Sequence, residues 1–227
     1  KTKLDKSEQM LFRRISIFVG GFTLEALESV ALLDSDQSIL DALSRLVDKS
    51  LLLVEQRDQP RYRFLEPIRQ YARDKLNETR ESNLIQDRHL NYYLRVAEEA
   101  EPYLFGAGQQ DWKNRLEWDH DNLRVALGWS LESNQIEAGL KMAGALAWFW
   151  HSKGHLSEGN LWLEKTLASG IGIQGKGTAV IHRAVHRRHR HQRVVRRHGD
   201  RQRVARDDGG QPERRDGGHR MQCREHR

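Results

Sequence analysis

The 227-residue chain has one cysteine, Cys223, four prolines and aromatic residues at only 7%. A single cysteine excludes an internal disulfide framework and fits a reducing compartment, so a cytoplasmic protein is expected. The first residues, KTKLDKSEQ, contain no apolar signal region, and no apolar run approaches membrane-spanning length, so no membrane partner is expected. Acidic excess is missing too, since the formal net charge is +6, but the charge is unevenly spread. Residues 177–227 hold 15 arginines, no lysine and six acids, a net of +9, which leaves residues 1–176 at −3. The same stretch has no Leu, Phe, Tyr or Trp and seven of the 11 histidines. A segment without those apolar residues cannot offset its ordering entropy by burial, so a disordered Arg/His-rich tail is expected over 171–227.

What the chain does have is concentrated in residues 38–76. Ile39, Leu43, Leu46 and Val47 fall on one face of a helix, with Ser38 as N-cap and Asp41 in its first turn. Residues 51–54 form a short aliphatic strand, 56–60 a turn, and Arg61 to Phe64 alternate polar and apolar as a half-buried strand does. After Pro67 a second helical stripe runs through Ile68, Ala72 and Leu76. Upstream, Leu11, Ile15 and Phe18 line a helix over 7–18 that ends at Gly20 and Gly21, and Thr23 caps another through Leu24, Leu27 and Val30. Helices plus one hairpin make a winged helix over residues 1–80.

From Arg88 onward the pattern is helical. Leu90, Tyr93 and Ala97 lie on one stripe; Trp112, Leu116, Leu123, Ala126, Leu127 and Leu131 lie on the next. Over 143–167 the spacing matches a tetratricopeptide helix pair. Leu146 and Trp150 sit on the first helix, Gly154 at the turn, and Gly159, Leu163 and Thr166 on the second. Residues 81–170 therefore read as the start of a TPR-like helical array, and the fold class is mainly α. Trp148, Phe149 and Trp150 read as core rather than as a ligand box. Asp119, His120 and Asp121 read as a solvated charged face.

No catalytic, cofactor-binding or metal site is expected. GIGIQGKGT over 170–178 has Gly170, Gly175 and Lys176 of a phosphate loop, but Gly177 stands where a Mg²⁺-binding hydroxyl is required, and no strand precedes it. His182, His186, His189 and His191 lack a carboxylate or thiol to complete a structural metal set. Residues 1–80 carry 14 basic and 13 acidic residues, and the presumptive recognition helix offers Arg45 and Lys49 against Asp41 and Asp48. That is a weak basic stripe for a DNA reader. DNA contact, if made, falls to Arg45 and Lys49.

"LVDKSLL" followed by "YRFLEPIRQYARDKL", together with "LFRRISIFVGGFTLEALESV", resembles the winged-helix segment that follows the nucleotide-binding domain of bacterial STAND-type regulatory ATPases, including LuxR-family and antibiotic-regulator-like transcription factors. "WKNRLEWDHDNLRVALGWSLE" resembles the helical linker that comes next. The resemblance implies a truncated, non-catalytic regulatory segment that links an ATPase domain, its expected partner, to a helical-repeat sensor. The start at Lys1 fits a fragment, and the composition after about residue 175 fits a GC-rich gene read in the wrong frame. The alternative from residues alone is a free-standing DNA-binding regulator that uses the winged helix and the basic tail.

Overall fold

The computed structural model describes residues 3–32, 38–106 and 108–170. Calls on the tail, its histidines and the phosphate-loop residues after Gly170 lie outside that range. The order is α1 (Lys6–Arg14), α2 (Leu24–Ala31), α3 (Ile39–Asp48), β1 (Leu52–Glu55), β2 (Arg61–Phe64), α4 (Glu66–Asn77), α5 (Ser82–Ala100), α6 (Gln109–Trp118), α7 (His120–Glu132), α8 (Ile136–Lys153) and α9 (Leu156–Gly170). It is a mainly helical fold with one small antiparallel sheet.

The helix starts follow from local chemistry. Asp5 caps α1 through the Glu8 N–H, while the Glu8 side chain accepts from the Asp5 N–H, a reciprocal capping box. Thr23 caps α2 and Ser38 caps α3, both by accepting from the N–H three residues on, as their sequence positions predict. The expected helix over 7–18 is shorter: α1 ends at Arg14 and one 3-10 turn carries Ile15 to Ile17 into the core. Gly20 and Gly21 then adopt φ of 80° and 151°, which a side-chain-bearing residue rarely does.

β1 and β2 pair with Leu52 opposite Phe64 and Glu55 opposite Arg61. Phe22 and Tyr62 exchange two backbone hydrogen bonds of 2.9 Å, so the segment after the glycines adds a one-residue third strand to the wing. The outcome differs from simple alternation at Arg61. It is a polar residue on an exposed-looking register, yet it is only 6% exposed.

One hydrophobic cluster runs from Leu11 through Leu27, Leu46, Leu76, Tyr93 and Leu127 to Trp150, across the end of the winged helix. Its aromatic contacts include Phe18 stacked on Phe22 at 4.7 Å and Phe12 edge-on to Phe64 at 5.2 Å. Arg13 and Arg14 of α1 both reach Glu81 at the head of α5, at 2.6 and 2.8 Å, and tie the first helix to the linker helix. α8 and α9 form a helical hairpin. Gly154 closes it at φ 85°, Leu146 and Trp150 are buried, and Gly159 lies against the Trp150 ring. Leu163 is half-buried against the same core. Phe149 and Trp150 are core residues and Trp148 stacks on Phe105 at 4.8 Å. Among the described residues no helix is long and apolar enough to cross a membrane.

Candidate nucleic-acid interface and the clamp behind it

α3 follows α2 as the second helix of a helix-turn-helix does, the element that enters the major groove in that motif. Its apolar side, Ala42, Leu43 and Leu46, is buried. Its outward side presents Leu40, Asp41, Ser44, Arg45 and Asp48. The two expected DNA contacts do not project freely. Arg45 Nε donates to Glu8 Oε1 at 3.0 Å, and Lys49 Nζ reaches both Glu8 oxygens at 2.5 and 2.6 Å. Glu8 itself is 1% exposed, and its lysine partner holds its carboxyl below the usual carboxylate range. One α1 carboxylate thus closes the capping box of its own helix and pairs with both cations of α3.

The wing is similarly occupied. Arg57 and Arg63 pair with Glu55 at 3.2 and 2.6 Å, and the Arg57 guanidinium lies 5.2 Å from the centre of the Trp118 ring on α6. The wing leans on the helices rather than standing clear of them.

Behind the wing is a buried polar clamp. Arg61 Nη2 donates to Asp119 Oδ1 at 2.6 Å and to the Gly21 and Trp118 carbonyls at 3.2 Å. Asn122 donates from Nδ2 to the Gly21 carbonyl at 2.8 Å and accepts from the Val19 N–H at 2.8 Å. The expectation of a solvated 119–121 face is therefore corrected for Asp119 and His120. Asp119 is 3% exposed because Arg61 supplies its counter-charge, and His120 is buried beside it, whereas Asp121 is exposed as expected. Burial raises the Asp119 carboxyl, with Arg61 opposing the rise. Sequence reasoning missed this set because Gly21, Arg61 and Asn122 are far apart in the chain. The one local signal was an arginine at the first position of a short strand.

His89 completes the clamp. Its Nε2 lies 3.5 Å from Asn122 Oδ1, and the Phe18 and Tyr93 rings flank it. The Asn122 oxygen is an acceptor, so the neutral ring places its proton on Nε2. Burial lowers the imidazole to about 3; Asn122 opposes that shift and the Arg73 charge adds to it. Unfolding releases a histidine of ordinary pKa near 6.5, so the unfolded state binds the extra proton. Stability from this group is complete above that value and is lost as pH falls toward 3. Unfolding free energy should drop by about 2 kcal/mol from pH 7 to pH 5. His89→Gln, which keeps a donor toward Asn122, should flatten that slope in urea titrations. An unchanged slope would assign the loss to other groups.

Residues 4–77 match the family described as "Winged helix-turn-helix domain". Two mycobacterial proteins are each 40% identical over 167 residues, covering 72% of this chain and 19% of theirs. They are "Putative HTH-type transcriptional regulator Rv0890c" of Mycobacterium tuberculosis strain H37Rv and the like-named Mb0914c of Mycobacterium bovis. The "Uncharacterized protein Rv0894" of M. tuberculosis is 37% identical over 90 residues, 38% of this chain and 23% of that protein. The chain therefore spans about a fifth of the curated relatives it matches. No solved structure matches it.

Proposed function

We propose that this chain, whose residues 4–77 form a winged helix-turn-helix domain, is the DNA-contacting segment of a transcriptional regulator. The observation that supports this is the 40% identity to proteins named as HTH-type regulators, continued through the helices behind the wing. In this reading α3 faces the groove and Arg45 and Lys49 leave Glu8 for phosphate oxygens. The clamp around Arg61 and Asp119 presents the domain in one orientation from the helical layer. The arginines of 177–227, outside the described residues, add attraction to polyanions through counterion release without reading sequence.

Because Glu8 competes with DNA for both cations, Glu8→Gln should tighten duplex binding, and Arg45→Ala with Lys49→Ala should weaken it. Fluorescence anisotropy across a salt series, on the full chain and on a chain lacking 177–227, tests this. The tail should account for most of the salt slope, and Arg45 and Lys49 for any preference among duplexes. If neither α3 nor Glu8 substitutions change affinity, α3 is not the contact.

A second reading is favoured by the acidic outward residues Asp41 and Asp48 and by the occupied state of Arg45 and Lys49. In it the winged helix packs against a nucleotide-binding ATPase domain of a longer STAND-type protein. A ligand on the helical repeats, of which α8 and α9 are the first TPR-like pair, shifts the population between two packings. Tight binding of α3 to a separately supplied ATPase domain, with no duplex affinity, would select it.

A further inference from the structure

The connection between α6 and α7 meets the turn between α8 and α9 through two histidines and two glutamates. Glu117 and His120 are three residues apart, as are His155 and Glu158, and they cross-pair. His155 Nε2 lies 3.2 and 3.3 Å from the two Glu117 oxygens. His120 Nε2 lies 3.2 Å from Glu158 Oε1. The second contact is only a distance: it lacks hydrogen-bond direction, so His120 Nε2 is a buried nitrogen without a hydrogen-bond partner. Both Glu158 oxygens are already taken by Arg124, at 2.7 and 2.6 Å. The two imidazole rings stand 4.4 Å apart, centre to centre.

We infer that Glu117, His120 and His155 form a binding site for a divalent transition-metal ion of the zinc class. One ligand atom from each lies within 4.8 Å of the other two. Ligand atoms around a tetrahedral ion at 2.0–2.1 Å stand about 3.3 Å apart, so the His155–Glu117 edge already has the required length. The other edges close by rotation of side chains, two of which, Glu117 and His155, are partly exposed. Two imidazoles and one carboxylate suit zinc better than calcium or magnesium, which take oxygen ligands. Glu158, committed to Arg124, is not counted as a ligand, and water completes the shell.

The position gives the site a consequence. His120 lies between Asp119, which grips Arg61, and Asn122, which grips Gly21. An ion there ties the α8–α9 hairpin to the same residues that hold the winged helix. It stiffens the route from the helical layer to the wing, whichever partner the winged helix meets.

The test uses the full chain with ZnCl₂ as the probe. Because the histidines and cysteine of 177–227 could take up zinc on their own, all seven of those histidines are first changed to Gln and Cys223 to Ser. That chain should bind one zinc ion, and its Tm should rise by about 5–10 °C at a hundredfold excess over Kd. Glu117→Gln and His155→Gln should each weaken binding by at least about tenfold, the lower bound for losing even an outer-shell partner. At the same zinc concentration both should cut the rise by about half or more while leaving the metal-free Tm and far-UV spectrum close to the parent. With CoCl₂ the parent should give the intense visible absorption of a tetrahedral site, and both variants should lose it. No zinc binding after the tail changes, or binding indifferent to Glu117→Gln and His155→Gln, overturns the proposal.

Discussion

Replacing Arg61 by alanine is expected to destabilise the protein by about 3–5 kcal/mol, as removal of one partner from a buried ion pair does. The guanidinium has three acceptors: Asp119 Oδ1, the Gly21 carbonyl and the Trp118 carbonyl. Water has little access to restore them, since the Arg61 and Asp119 side chains are only 7% and 5% exposed. Without Arg61, the Asp119 carboxyl is left buried without its hydrogen-bonded counter-charge, and burial already raises it. It then takes up a proton more readily. The penalty in Arg61→Ala should therefore shrink as pH falls and Asp119 is neutralised. Asn122 still holds the Gly21 carbonyl, which keeps the variant from losing the whole clamp. Replacing both partners by apolar residues of similar size, Arg61→Met with Asp119→Leu, should recover most of the loss, because no unpaired charge remains. Urea unfolding of the parent, Arg61→Met, Asp119→Leu and the double variant measures the coupling directly. A loss below about 1 kcal/mol in Arg61→Ala would mean that the pair behaves as a surface bridge and the clamp is not structural.

The second large effect is expected at Trp150. Its side chain is 2% exposed and fills the contact between α8 and α9. A β-carbon on Gly159 would stand 2.8 Å from Trp150 Cε3 and 2.9 Å from its Cβ. Gly159 is therefore glycine for lack of room, not for backbone conformation. Trp150→Ala should cost about 3–5 kcal/mol through lost burial and the cavity left behind. Gly159→Ala should cost about 1–3 kcal/mol by overpacking. The two should not add. Removing the indole relieves the contacts with Cε3 and Cδ2 but leaves the β-carbon of residue 150, so Gly159→Ala should cost clearly less, though not nothing, in the Trp150→Ala background. Additive losses in a double-mutant cycle would show that the Gly159 penalty arises elsewhere. Gly139, where a β-carbon would stand 2.5 Å from Ser130 Oγ, makes a similar close approach between α7 and α8.

The pH effect at His89 and the metal effect at His120 share one physical origin. Both rings are buried among groups contributed by distant segments, so neither carries a local mark. His120 sat between two aspartates in a hydrophilic stretch, and its neighbours in sequence pointed to solvent. Nothing local marked Glu8, whose carboxylate closes the capping box of α1 and also receives Arg45 and Lys49 from α3.

The sequence by itself determined the elements. Ser38 and Thr23 marked helix starts, and the apolar stripes named Leu43 and Leu46 of α3, Leu90, Tyr93 and Ala97 of α5, and Leu123, Ala126 and Leu127 of α7 among the buried residues. Gly154 marked the turn between α8 and α9. These features depend on neighbours within a few residues, where backbone sterics, capping and periodicity act, and so they are legible from the chain. Only the tertiary structure decided which polar residues are buried. Arg61, Asp119, Asn122, Glu8 and His89 leave water because a partner from 33 to 103 residues away meets them. A charge or amide is stable in the interior only when such a partner arrives. That meeting depends on how the wing packs on the helical layer, which no single stretch encodes.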